Sequence, residues 1–332
     1  MRSRILAVGL LLGLAGAQST GALAQTRIEV PIREVVQSNG VHRYGVPITV
    51  GGVQIEAGLD TGSTGLRILP GVVPATAVQS SGHRTSYSYD NGVQFDGTMV
   101  EADMTIGVSG KVKFEQIDKV GCKPGLRTCQ AVTVKPEEFG IQSGGLPNEG
   151  FKAILGINMA DDTAPNPLMA MGVKRWIIDL PRPGQGETGR IVLNPTDAEV
   201  ADYRLFRIDD QFVGSHGGLH DAIQGCLVNK TTKHSYCGPT DLDTGAPGVQ
   251  VATSDTQPWQ PQTPVTIAFL DNGKPVIGAD FTVGQGPGAR LSFRAPPPRR
   301  PSASNIYLGI LPYFVFSTLY EPEARSVGLK AR

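Results

Sequence analysis

Aromatic residues make up only 6% of this 332-residue chain and charged residues only 18%, with Lys plus Arg and Asp plus Glu balanced at 30 each. With that balance nothing points to nucleic acid or to an anionic membrane as a partner. After residue 24 no apolar run approaches the length needed to span a bilayer. The chain also lacks a G-x-S-x-G nucleophile turn. What it has in quantity is glycine, 42 residues, and proline, 25 residues. Those numbers favour many short strands joined by turns, and the length is sufficient for two cores. The expectation is a mainly β protein.

The first residues read as an export signal. Arg2 and Arg4 form a positive start, Ile5 to Ala17 an apolar stretch and Ala22-Leu23-Ala24 a cleavage site, so the mature chain is predicted to begin near Gln25. Its removal takes away two arginines and no acids, leaving 28 basic against 30 acidic residues. In an exported chain four cysteines point to disulfides ahead of metal ligation. Three connectivities exist for four cysteines; the spacing favours Cys122 with Cys129 and Cys226 with Cys237, each closing a short loop.

The most informative feature is a duplication. Leu59-Asp60-Thr61-Gly62-Ser63-Thr64-Gly65-Leu66-Arg67-Ile68 returns 183 residues later as Leu242-Asp243-Thr244-Gly245-Ala246-Pro247-Gly248-Val249-Gln250-Val251, identical at five of ten positions. Each copy is followed at a distance by an apolar-apolar-glycine run, Ile154-Leu155-Gly156 and Tyr307-Leu308-Gly309. Two such acidic turns related by a two-fold axis bring two carboxyls together. At roughly 3 Å and an effective dielectric of about 20, two full charges repel by about 5 kcal/mol, so the pair holds one proton tightly. One carboxylate then activates a water while the other carboxyl supplies a proton, which is what peptide hydrolysis needs without metal or nucleophilic side chain. Thr61 and Thr244 are expected to join the turns, and Gly62 and Gly245 to let backbone amides approach the carboxyls.

Along the chain, Tyr44 to Leu59 alternates about Gly51-Gly52 as a hairpin that delivers Asp60 at a strand end. Residues 85 to 107 read as a second hairpin, with Tyr87 and Tyr89 ahead of an Asp90-Asn91-Gly92 turn. The stretch 108 to 150 reads as a cysteine loop and polar connections. A buried strand at Phe151 to Ile157, a short helix near Pro167 to Met171 and a hairpin of Ile177–Leu180 with Gly189–Leu193 follow. The seam between halves is placed at Asn194 to Val200. The second half repeats the plan, with strands near Tyr203 to Ile208 and a Val265–Leu270 hairpin turning at Asp271-Asn272-Gly273.

Together these residues resemble the pepsin-type, two-lobed aspartic peptidases, from about Tyr44 to the C-terminus. Besides both Asp-Thr-Gly turns, the pattern matches Phe151 to Ile157, the strand-helix order after it, and Tyr307-Leu308-Gly309 with Ser326-Val327-Gly328-Leu329. The resemblance implies a mainly β, bilobal acid-protease fold, two pseudo-symmetric lobes with a cleft between them, spanning residues 25–198 and 199–332. It implies Asp60 and Asp243 as catalytic residues, supported by Thr61, Gly62, Ser63, Thr244, Gly245 and Ala246. It makes the hairpin at 85 to 107 a flap over the substrate, with Tyr89, Asn91 and Gly92 in contact with it; Tyr87 is the alternative tyrosine. The implied protein is an exported, periplasmic or secreted monomer acting on an extended polypeptide, with no cofactor or metal. The alternative is a non-catalytic binding or inhibitor protein on the same fold, a class that commonly loses one aspartate; this chain keeps both.

Three departures modify the expectation. Arg67 stands where the family usually has a tryptophan that bonds the flap tyrosine, so the flap is either anchored differently or more mobile. Ala246 lacks the hydroxyl that Ser63 offers Asp60, which predicts a pH optimum less acidic than that of gastric members. Only 35 residues separate Gln25 from Asp60, too few for a blocking pro-segment ahead of the first strands. The remaining motifs are weak. His216-Gly217-Gly218-Leu219-His220 has metal-like spacing but its glycines oppose a helix, Asp241-Leu242-Asp243 lacks the later acids of a calcium loop, and Asn229-Lys230-Thr231 is a glycosylation sequon that has meaning only in a eukaryotic host.

Overall fold

The computed structural model describes residues 26–209, 221–255, 257, 259–296 and 304–332. The predicted export signal, the His216–His220 run and most of the proline-rich loop after Ala295 lie outside the described residues. The first half forms β1 (Ile28–Val36), β2 (His42–Val50), β3 (Val53–Asp60), β4 (Thr64–Ile68), β5 (Gln79–Ser88), β6 (Val93–Ile106), β7 (Val108–Cys122), β8 (Ala153–Ile157), β9 (Trp176–Asp179) and β10 (Gly189–Leu193). The second half forms β11 (Arg204–Arg207), β12 (Ile223–Asn229), β13 (Ser235–Asp241), β14 (Gly248–Ala252), β15 (Pro264–Asp271), β16 (Lys274–Thr282), β17 (Gly288–Arg294), β18 (Asn305–Tyr307), β19 (Phe316–Glu321) and β20 (Ser326–Ala331). Two short helices are α1 (Pro167–Ala170) and α2 (Asp197–Val200). Asn166 caps α1 by accepting from Leu168 and Met169, and Thr196 with Glu199 forms a capping box on α2.

The strands assemble into a 13-stranded sheet, in the order β11-β20-β19-β9-β10-β1-β2-β3-β8-β4-β7-β6-β5, and a 7-stranded sheet, β16-β15-β12-β13-β18-β14-β17. Alternation along the strands accounts for the core: Val46, Ile48 and Val50 of β2, with Ala57 and Leu59 of β3, face inward and are buried. β11, β19 and β20 come from the second half of the chain yet pair into the large sheet beside β9 and β10. The seam read at Asn194 to Val200 therefore separates chain segments, and sheet membership crosses it.

The structure adds one long element to the sequence reading. Residues 108 to 122 form β7 and pair with β6 from Val93↔Cys122 to Ile106↔Val108, where polar connections were expected. The alternation of Val112 and Phe114, both buried, with Lys111, Lys113 and Glu115 carried that signal. The predicted cysteine pairs are both at disulfide distance, with Cα separations of 5.6 Å for Cys122–Cys129 and 4.1 Å for Cys226–Cys237. Among the described residues no helix is long and apolar enough to cross a membrane.

The apolar-glycine strands thread between the two limbs of each acidic turn. β8 pairs parallel to β3, with Gly156 opposite Asp60, and antiparallel to β4, with Gly156 opposite Gly65. β18 repeats this between β13 and β14. A Cβ on Gly156 would meet Gly65 O at 2.6 Å and Ser63 O at 2.8 Å, and one on Gly309 would meet Gly248 O at 2.5 Å and Ala246 O at 2.8 Å. Only glycine permits such close backbone passage at these two places.

Candidate active site

β3 and β13 deliver the two Asp-Thr-Gly turns to the same point. At the first, Asp60 Oδ1 accepts from Gly62 N at 2.9 Å and Oδ2 from the Ser63 hydroxyl at 2.6 Å. At the second, Asp243 Oδ1 accepts from Gly245 N at 2.8 Å. Ala246 provides no equivalent of the Ser63 bond, so the pair is asymmetric. The two carboxyls face one another across the turns: a Cβ on Gly62 would stand 2.3 Å from Asp243 Cγ, and one on Gly245 would stand 2.6 Å from Asp60 Oδ1. Any larger residue at either glycine displaces the opposite carboxyl. Burial, together with the charges of Asp60 and Asp241, pushes the Asp243 carboxyl well above the usual carboxylate range.

The threonines lock the turns together. Thr61 N donates to Thr244 Oγ1 at 3.0 Å and Thr244 N to Thr61 Oγ1 at 2.9 Å. The hydroxyls donate onward, Thr61 to Leu242 O at 2.6 Å and Thr244 to Leu59 O at 3.1 Å. Every member of this group is buried, so each bond satisfies a group that has no access to water. Sequence reasoning missed its supports. Asn158 Nδ2 donates to Thr61 O at 2.9 Å, and the Tyr313 hydroxyl stands 2.9 Å from Thr61 Oγ1 and 2.5 Å from the Tyr320 hydroxyl. Asn158 directly follows the predicted strand Phe151 to Ile157 and was legible as its polar continuation; the tyrosines carried no local signal.

The hairpin at 79–106 is held on three sides. Its tip turns at Tyr89–Val93, where Gly92 takes a φ of 84° and its N donates to Tyr89 O at 3.0 Å. Behind it, Lys123 N donates to Gly92 O at 2.8 Å and Asn91 Nδ2 to Gln130 Oε1 at 3.1 Å, both on the Cys122–Cys129 loop side. From below, the fully buried Arg67 lies over the Tyr87 ring with Cζ 3.4 Å from its centroid, while its Nε donates to Glu115 Oε2 at 3.1 Å. Anchoring by a cation replaces the expected tryptophan, and the added strand β7 stiffens the whole hairpin. The two tyrosines differ. Tyr87 stacks on Arg67, whereas the Tyr89 ring packs edge-on against Phe95 and its enclosed hydroxyl has no hydrogen-bond partner among the described residues. Across the tip, Asp90 Oδ2 meets Arg294 Nη1 of β17 at 2.8 Å.

One further cation borders the turns. Arg43 of β2 is 7% exposed, and its Nη1 donates to Gly245 O at 2.5 Å. Burial lowers this guanidinium to about 10, against the opposing pull of Asp243 and Asp60. The Asn229 sequon is closed to modification: its side chain is buried and Oδ1 accepts from Thr231 and Thr232.

The architecture is shared with the aspartic proteinase from Irpex lacteus, with a TM-score of 0.57 over 92% of this chain and 97% of that one, at 13% identity. No protein-family model and no curated protein matches the sequence. The likeness establishes the fold, mainly β and of the two-lobed pepsin-like class.

Proposed function

We propose that the chain is an aspartic endopeptidase, exported by residues 1–24, in which Asp60 and Asp243 activate a water against the peptide bond. The observation that carries this reading is the mutual placement of the carboxyls, each against the glycine of the opposite turn. With one proton shared, the ionised carboxylate removes a proton from the water as it attacks the carbonyl carbon. The protonated carboxyl donates to the carbonyl oxygen. Collapse of the tetrahedral intermediate then returns a proton to the departing amine. Thr61 and Thr244 fix the separation of the two turns, and Ser63 steadies Asp60.

In this reading the substrate lies extended between lobes 25–198 and 199–332 of a monomer, under the hairpin tip at Asn91 and Gly92. The tyrosine assigned to border the substrate is Tyr87, because its ring is held by Arg67 and it lies within the field of both Asp60 and Asp243. Two cysteine pairs at disulfide distance support passage through an oxidising compartment, periplasmic or external. The test is digestion of a peptide library between pH 3 and 7 by the mature protein, with products read by mass spectrometry. Internal cleavage with free new termini is expected. Binding of peptides without any cleavage would replace the peptidase with a non-catalytic binding protein.

A further inference from the structure

Two buried arginines flank the paired turns, and the chain provides for them differently. Arg67 has its counter-ions built in, with Glu115 Oε2 at 3.1 Å from Nε and Asp162 Oδ2 at 3.8 Å from Nη2, and Nη1 donates to Thr64 O at 2.9 Å. Among the described residues Arg43 has no carboxylate at salt-bridge distance, and Asp60 and Asp243 act on it only from farther away. Its one hydrogen bond among them goes to a neutral acceptor, Gly245 O, and its enclosed Nε has no partner there. A desolvated guanidinium has lost the water that satisfied its five donors, and a carboxylate replaces that water best because it accepts two parallel N–H bonds.

The placement is fixed by pairing and burial. Arg43 sits in β2 opposite Val35 of β1, between His42 and the fully buried Tyr44, and reaches across to the second turn, 202 residues away. Asp60 and Asp243 act on it electrostatically, so it lies within the field of the candidate catalytic pair. In the peptidase reading, a polypeptide held over those carboxyls lies beside Gly245, whose carbonyl Arg43 reaches.

We propose that Arg43 is a specificity-determining residue that receives an acidic side chain of the polypeptide near the bond held at Asp60 and Asp243. The proposal rests on the peptidase reading for the bond but not for the binding. The guanidinium fork forms two charge-assisted bonds to a Glu or Asp carboxylate and cannot do so with the matching amide, whose nitrogen carries only donors. A free peptide terminus offers the same carboxylate chemistry, so the two sources have to be compared directly.

The experiment uses end-blocked peptides scanned with Glu or Gln at each position about the centre, plus partners with free C-termini. Binding and cleavage by the full mature protein are both measured at pH 6. At one position Glu is expected to exceed Gln by about tenfold, the scale of a charge-assisted over a neutral contact. The ratio is expected to fall to about one in Arg43→Gln and to be partly kept in Arg43→Lys. An Arg43-dependent gain confined to free C-termini contradicts the side-chain assignment. Equal handling of Glu and Gln by the unaltered protein overturns the proposal without recourse to any variant, as does a preference undiminished in Arg43→Gln. A Glu preference in binding with no cleavage of any peptide upholds Arg43 and fails the peptidase reading.

Discussion

Thr61 and Thr244 exchange hydrogen bonds across the paired turns, each main-chain nitrogen donating to the other's hydroxyl, at 3.0 and 2.9 Å. Replacing either with valine keeps the shape and strands a buried N–H, at about 1–3 kcal/mol, while each carbonyl keeps a second donor, Tyr313 for Leu242 and Gln142 for Leu59. Thr61→Val is expected to be the more damaging, since Thr61 also meets the Tyr313 hydroxyl at 2.9 Å. Urea unfolding of the two variants measures the order; equal stability to the unaltered protein would contradict the coupling.

Arg67 holds a buried cluster that joins β4, β5 and β7. Arg67→Met leaves Glu115, 2% exposed, without its cation, and is expected to cost about 3–5 kcal/mol. Adding Glu115→Gln removes the stranded charge and is expected to recover most of that loss. A double variant no more stable than Arg67→Met, by thermal or chemical unfolding, would show that the pair is not coupled.

The raised Asp243 carboxyl has a consequence for stability. A carboxyl whose folded value lies above its unfolded value binds more protons in the native state between the two values. Stability therefore falls as pH rises through that window, starting from the ordinary carboxylate range near 4. Asp243→Asn removes the titration, so its melting temperature is expected to exceed that of the unaltered protein at pH 7 and to match it near pH 3. A gain that is the same at both values would locate the effect elsewhere.

Asp90 and Arg294 tie the hairpin tip to the smaller sheet. Both side chains are partly solvated, at 46% and 29% exposure, so the link is worth less than about 1 kcal/mol. Arg294→Gln is expected to raise amide exchange at residues 89–92 by no more than about fivefold, and 1 M salt should erase the difference. A larger or salt-independent change would mean that Arg294 supports the hairpin by packing.

The features legible in the sequence were those written locally. The duplicated turns, the hairpins around Gly51-Gly52 and Asn272-Gly273, and the Ile154-Leu155-Gly156 strand all show in ten residues or fewer. β7 was hidden because Lys111 and Lys113 on its outer face, with the buried Glu115 two residues on, read as a polar connection until β6 is seen beside it. Arg43 was passed over for a different reason. Nothing near it in sequence marks it as buried, and its partner, Gly245, is brought to it only by the closure of the two halves. Likewise β11, β19 and β20 pair across the chain midpoint, a choice that alternation along each strand leaves open.

The most direct measurement is kcat/KM on one cleaved peptide for the unaltered protein, Asp60→Asn and Asp243→Asn, each shown to be folded by circular dichroism. Because the two carboxyls act as one acid-base unit, either substitution is expected to lower the value by at least about a thousandfold. Cleavage that persists in either folded variant within about tenfold of the original rate would contradict the dyad.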